Sequence, residues 1–199
     1  MLRYVSIDPA TSTGWARFDV QPEAKTVGVT FGQFRVNTRT KTGHGDWCLD
    51  MERRIDALLD DGPPIAHAFV EDYFFSARAC NGVTINVKFR AVIEMCLRRR
   101  GIEYTLVHPA SWFAAVVGSV PKRTATQERK KRTMLALDAR YGIRVPSHDG
   151  RRKTPSDVYD AIAIGVHGLS QRHPDLSFVS SGAPTTAAVE RGDDGVAAP

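Results

Sequence analysis

Two short apolar runs, each ending in an acid, constrain this chain most. Residues 2–7 (LRYVSI) stop at Asp8-Pro9, and residues 66–70 (AHAFV) stop at Glu71. Runs of this length suit strands buried in a sheet, and the proline after Asp8 ends the ladder. Between them, residues 13–20 and 26–36 are rich in β-branched and aromatic residues on either side of a QPEAK turn, so the first three segments read as an antiparallel meander. Residues 45–59 place Trp47, Met51, Ile55, Leu58 and Leu59 on one helical face and stop at Asp61-Gly62-Pro63-Pro64. A loop after Glu71 leads to a second helix, with Phe89, Val92, Ile93, Cys96 and Leu97 at helical spacing, and residues 103–107 read as a fifth strand. The order β-β-β-α-β-α-β followed by helices predicts an α/β fold, a mixed five-stranded sheet with helices on both faces.

The second half reads as helical. Residues 109–117 read as a short helix, and Thr124 to Gln127 reads as a capping box opening a helix that ends at Tyr141-Gly142. Thr154-Pro155-Ser156-Asp157 opens another, with proline at the first helical position. Its stripe of Val158, Ala161, Ile162, Gly165, Val166 and Leu169 should pack on the sheet. Residues 1–174 are expected to form one domain. Residues 175–199, rich in Ala, Gly, Pro, Ser and Thr without periodicity, are expected to form a disordered tail.

With no run of about 18 apolar residues and no secretory signal at the start, the expectation is an intracellular, cytoplasmic protein with no membrane partner. Cys48, Cys80 and Cys96 are widely spaced and read as reduced thiols. The formal net charge of +5 understates the domain: from residue 175 onward four acids face one base, so residues 1–174 carry 26 bases against 18 acids. A basic domain attracts polyanions, and nucleic acid is the first partner to consider.

Asp8 and Glu71 stand at the C-terminal ends of strands, the sheet edge where α/β folds bind ligands. Asp157 and Asp160 are three residues apart on a helix and project from one side. If the four carboxylates converge they repel one another, and an all-oxygen set without Cys or His favours Mg²⁺ or Mn²⁺ over zinc. Taken singly, each has another reading: Asp8 starts a turn, Asp157 completes a capping box, and Glu71 and Asp160 are solvated.

Ile7-Asp8-Pro9 followed by Thr13-Gly14-Trp15-Ala16, then Phe69-Val70-Glu71-Asp72-Tyr73-Phe74, then Val116-Val117-Gly118 with Lys122 after it, then Asp157-Val158-Tyr159-Asp160-Ala161-Ile162-Ala163-Ile164 resembles the RuvC family of Holliday junction resolvases across nearly all of residues 1–170. The resemblance implies an RNase H-like fold, a homodimer, and paired nicks in a four-way DNA junction that leave 5′-phosphate and 3′-hydroxyl ends. It makes Asp8, Glu71, Asp157 and Asp160 the catalytic and metal-binding acids, holding two Mg²⁺ per active site, with Mn²⁺ able to substitute. The chain departs from the family pattern in having Ala10 after Asp-Pro, and Trp112-Phe113-Ala114-Ala115 where a lysine is usual. Val87-Lys88-Phe89-Arg90-Ala91 keeps only the arginine of the family's glycine-flanked helix start, which makes Arg90 a DNA-binding candidate.

Basic and aromatic residues near these motifs complete the expected DNA surface. Lys122 matches a family DNA-binding lysine, and with Arg123 it precedes a helix N-terminus, a ready phosphate site. Arg129, Lys130, Lys131 and Arg132 point around the whole helix, so at most two face one phosphate track; Lys130 and Lys131 are taken as that pair. Arg152 and Lys153 either clamp the scissile strand or solubilise a loop. Tyr73, Phe74 and Phe75 read as core by composition, whereas the resemblance makes Phe74 an aromatic that stacks on junction bases, with Arg78 beside it. The leading expectation is a Mg²⁺-dependent, structure-selective DNA endonuclease. The alternatives are an RNase H-like nuclease on flaps, branched DNA or hybrids, and a non-catalytic junction-binding protein. A helicase partner is not legible.

Overall fold

The computed structural model describes residues 1–38, 43–72, 80–119, 121, 124–145, 156–176, 178 and 188–189. Phe74, Arg78, Lys122, Arg123, Arg152 and Lys153 lie outside the described residues, as does the expected helix start at Thr154-Pro155. Strands β1 (Leu2–Asp8), β2 (Ser12–Gln21) and β3 (Thr26–Arg35) are followed by α1 (His44–Asp60), β4 (Ile65–Glu71), α2 (Cys80–Arg99) and β5 (Tyr104–Val107). Then come α3 (Pro109–Val116), α4 (Thr126–Tyr141), α5 (Ser156–Arg172) and a two-residue β6 (Ala188–Val189).

The sheet order is β5-β4-β1-β2-β3-β6. β1, β2 and β3 are antiparallel neighbours, while β4 and β5 extend the sheet in parallel from β1. The five expected strands thus form the mixed sheet, and β6 adds a short parallel pairing at the β3 edge.

Strand alternation divides the core into two layers. Val5 and Ile7 of β1 and Ala68 and Val70 of β4 join Met51, Ile55, Phe89, Ile93 and Leu97 under α1 and α2. Tyr4 and Phe69, on the other parity, join Phe18, Ile162 and Leu169 on the α5 side. Because side chains alternate along a strand, Asp8 and Glu71 share the parity of Tyr4 and Phe69 and belong to the α5 face.

α5 is apolar nearly all round, which marks a central helix. Its predicted stripe is buried, and so are Tyr159, Ala163 and Ile164, because α3 and α4 pack on α5 in turn. Two features hold it close to the sheet. Ser6 Oγ donates to the Ala161 carbonyl at 2.6 Å, and a Cβ on Gly165 would stand 2.1 Å from the Phe18 ring.

The capping box expected at Thr124 does not form. Thr124 Oγ1 donates instead to the Pro121 carbonyl at 2.7 Å, and α4 begins after Ala125, with no side-chain cap. A hydroxyl engaged with the preceding turn is not available to the helix N-H groups. The predicted end holds: Gly142 adopts the left-handed conformation (φ 65°) and returns its N-H to the Asp138 carbonyl. Leu176 and Phe178, past the expected domain boundary, pack against the α5 layer, and the Phe178 ring lies 5.3 Å from that of Tyr141. Among the described residues no helix is long and apolar enough to cross a membrane.

Candidate active site

Asp8 and Glu71 end neighbouring parallel strands whose last registered pair is Ile7 with Val70, so both carboxylates leave the sheet at its C-terminal edge. The N-terminal end of α5 carries Asp157 and Asp160 to the same edge. How near that turn can come is decided by Gly14, which pairs with Asp8 across β1 and β2. A Cβ there would lie 2.0 Å from the Asp157 carbonyl oxygen, so only glycine lets α5 enter against the strand. The carboxylates of Asp8, Asp157 and Asp160 consequently offer oxygens that all lie within 4.8 Å of one another.

Glu71 is the fourth member. It is held by Trp112 of α3, whose Nε1 donates to Oε1 at 2.8 Å, and its charge is felt by Asp8 on the neighbouring strand. On the opposite side, Lys130 of α4 places Nζ 3.2 Å from Asp157 Oδ1. The loop after Asp8 is fixed by buried Thr13, whose hydroxyl donates to the Ala10 carbonyl at 2.6 Å.

These acids are crowded and at least partly buried. Asp8 is 9% exposed; burial, followed by the charges of Glu71, Asp160 and Asp157, holds its carboxyl well above the usual range. Burial pushes Asp160 up to about 7, with Glu71 and Asp157 adding to the rise while Lys130 and Arg129 oppose it. Glu71 is also raised, first by burial, against the Trp112 hydrogen bond and the positive charges of Arg129 and His108. Burial and mutual repulsion both disfavour ionisation, and a cation among the oxygens relieves the repulsion. The donors fit a hard divalent ion, since every ligand atom in the group is a carboxylate oxygen.

Among the other predicted contacts, the structure brings Lys130 into this site and leaves Lys131 exposed. Arg90 is engaged within the protein, pairing with Asp72 at 2.5 Å and Glu94 at 3.0 Å. Three contributors carried no assigned role in the sequence reading: Trp112, Arg129 and Gly14. A glycine inside an otherwise β-branched and aromatic strand is a signal of close backbone approach, so Gly14 was findable. Trp112 and Arg129 depend on how α3 and α4 dock.

No family model matches the chain, and no curated protein matches it. Solved structures do. Thermus thermophilus RuvC in complex with a Holliday junction substrate superposes with a TM-score of 0.63 at 14% identity, covering 86% of this chain and 96% of that one. A second structure of Thermus thermophilus RuvC gives 0.61 at 16% identity, covering 89% and 100%. The yeast mitochondrial Holliday junction resolvase Ydc2 gives 0.52 at 11% identity, covering 83% and 77%. The chain therefore has the RNase H-like fold of RuvC, with its four acids gathered at the C-terminal edge of the sheet.

Proposed function

We propose that this protein is a Mg²⁺-dependent endonuclease that resolves four-way DNA junctions by paired nicks, leaving 5′-phosphate and 3′-hydroxyl ends. The observation that carries the reading is the convergence of Asp8, Asp157 and Asp160 within 4.8 Å, with Glu71 at the end of the adjacent strand, in a fold shared with RuvC. Asp8, Glu71, Asp157 and Asp160 would hold two Mg²⁺, for which Mn²⁺ can substitute. When bound, such ions lower the pKa of water and offset the charge that grows on phosphorus and on the leaving oxygen.

The chain's own residues do the positioning. Trp112 fixes the Glu71 carboxylate, which burial alone would leave free to turn and take up a proton. Lys130 holds Asp157 and tempers the repulsion felt by Asp160. For the DNA track we assign Lys130 and Lys131 together with Lys122, Arg123, Arg152, Lys153 and Arg78, with Phe74 stacking on bases at the junction centre. Arg90 joins that track if DNA displaces its pairing with Asp72. One chain offers one cluster of this kind among its described residues, so nicking two opposed strands calls for a homodimer.

The test is cleavage of a labelled four-way junction beside matched duplex, flap and hybrid substrates, in Mg²⁺ or EDTA, with wild type and Asp8→Asn. Paired symmetric nicks in the junction, abolished by EDTA and by the substitution while binding persists, are expected. Preferential cutting of flaps or hybrids would keep the acids and replace the substrate. Junction binding without metal-dependent cutting would overturn the nuclease reading.

A further inference from the structure

Helix α4 carries four consecutive bases, and the structure gives each a different situation. Arg132 is paired within its own helix, Nε to Glu128 Oε1 at 2.9 Å, Lys130 is paired with Asp157, and Lys131 is exposed. Arg129 is exposed as well, yet its guanidinium carbon lies 4.4 Å from the ring centre of Phe113, a buried residue of α3. Among the described residues that guanidinium makes no hydrogen bond or ion pair. Its charge nevertheless reaches the acid cluster, lowering the proton affinity of both Glu71 and Asp160.

This is the placement of a substrate-facing cation. A guanidinium held over an aromatic ring by a cation–π contact still has its N-H groups for acceptors, and it is preorganised because the contact limits its rotamers. The ring that carries it is fixed by the element that also fixes Glu71. Trp112 and Phe113 are adjacent on α3 with ring centres 5.6 Å apart, one bonded to the Glu71 carboxylate and the other under Arg129. Four acids repel an approaching phosphodiester, so a fixed positive group at their margin has a clear electrostatic use. Arginine suits it better than lysine, since its fork matches two phosphate oxygens at once.

We propose that Arg129 binds the reacting phosphodiester of the nucleic-acid substrate, donating from its N-H groups to the non-bridging oxygens while Phe113 holds the guanidinium in place. This rests on the nuclease reading above and adds to it a residue that acts on the substrate rather than on a metal.

The experiment compares wild type, Arg129→Met and Arg129→Lys. Methionine keeps apolar packing on Phe113 and removes the charge; lysine restores charge without the fork. Three quantities are read: single-turnover cleavage of the four-way junction at saturating protein, junction affinity, and Mg²⁺ affinity of the DNA-free protein followed by tryptophan fluorescence. With Arg129→Met, cleavage should fall by about 10- to 100-fold, the worth of one charge-assisted hydrogen bond, with junction affinity changed less than about threefold. Arg129→Lys should fall between the two. Mg²⁺ affinity should be unchanged or tighter in Arg129→Met, because a positive charge has left the cluster. Cleavage within twofold of wild type, or slower cleavage traced to weakened Mg²⁺ binding, would overturn the assignment by leaving Arg129 a packing role or none. Wild type that cuts no substrate would overturn the nuclease reading and this one with it, whereas cutting indifferent to Arg129→Met overturns this one alone.

Discussion

Glu52, Asp56 and Cys96, between α1 and α2, bring their ligating atoms as close together as Asp8, Asp157 and Asp160 do, within 4.8 Å in each case. Their surroundings differ. Arg99 donates to Glu52 at 2.7 Å and to Asp56 at 2.8 Å, and Arg100 donates to Asp56 at 2.5 Å and to Asp60 at 3.0 Å. Burial, with Asp56 next to it, pushes the Cys96 thiol up to about 11, so it stays protonated at neutral pH. The helix-pair cluster is neutralised from within and ties α1 to α2. The sheet-edge cluster has Lys130 on one of its acids and Arg129 nearby, and burial raises the proton affinity of Asp8, Glu71 and Asp160. Closeness of oxygens therefore does not mark a cation site; closeness without enough resident positive charge does.

The contrast can be broken most directly by removing one acid from each cluster. Asp8→Asn should lower junction cleavage by about 10³-fold or more, because the amide keeps the shape and loses the charge that holds the ions. It should also abolish the thermal stabilisation that wild type gains from Mg²⁺, which at 100 times the dissociation constant amounts to about 2.7 kcal/mol. Retained Mg²⁺ stabilisation in Asp8→Asn, read by differential scanning calorimetry, would place the ion elsewhere.

Gly14→Ala sharpens the comparison by moving an element rather than a charge. The added Cβ must displace the Asp157 backbone, so stability should drop by about 1–3 kcal/mol in urea unfolding, with Mg²⁺ stabilisation reduced too. An unchanged Mg²⁺ response would show that the depth of α5 does not set the cluster.

A smaller effect separates the clusters by pH. Asp160 holds its proton to about 7 in the folded chain, against an ordinary 3.8, so between these values the folded state binds more protons than the unfolded one. Its contribution to stability thus declines as pH rises through that window and levels off above it. His67 acts in reverse: burial and Arg172 push it down to about 4 from 6.5, so its contribution falls as pH drops through that range. The two slopes oppose each other, and the informative quantity is the melting-temperature difference between Asp160→Asn and wild type. In EDTA that difference should grow from near zero at pH 4 to several degrees at pH 8 in favour of Asp160→Asn, and shrink when Mg²⁺ is added. A difference independent of pH would contradict the crowding of these acids.

The smallest effect is expected from Asp56→Asn. It breaks contacts with Arg99 and Arg100, both at least partly exposed, and should cost about 1 kcal/mol or less, without altering cleavage or Mg²⁺ stabilisation. A changed Mg²⁺ response would make the helix-pair cluster a cation site after all.

Local patterns carried much of this. The parity of Tyr4, Ser6 and Asp8 and of Phe69 and Glu71 follows from strand alternation, and the Asp157–Asp160 spacing follows from the helical repeat. The misread cap at Thr124 shows the limit of such signals, since whether its hydroxyl serves the helix depends on the turn at Pro121. The run Arg129 to Arg132 shows another. Consecutive residues advance about 100° around a helix, so sequence limits how many can face the site without naming them. Their assignment came from the docking of α4 on α5 and α3, which set Lys130 beside Asp157 and Arg129 over Phe113.

By itself the sequence determined the order of the elements, the two strand ends that carry Asp8 and Glu71, and the helix that carries Asp157 and Asp160, because periodicity and breakers act over a few residues. Only the tertiary structure decided how close those carboxylates come, that Trp112 holds Glu71, and which acid cluster keeps uncompensated charge. Those are long-range facts, set by α5 settling against Gly14 and bringing its own Gly165 onto Phe18, and by which arginines fold back onto which acids.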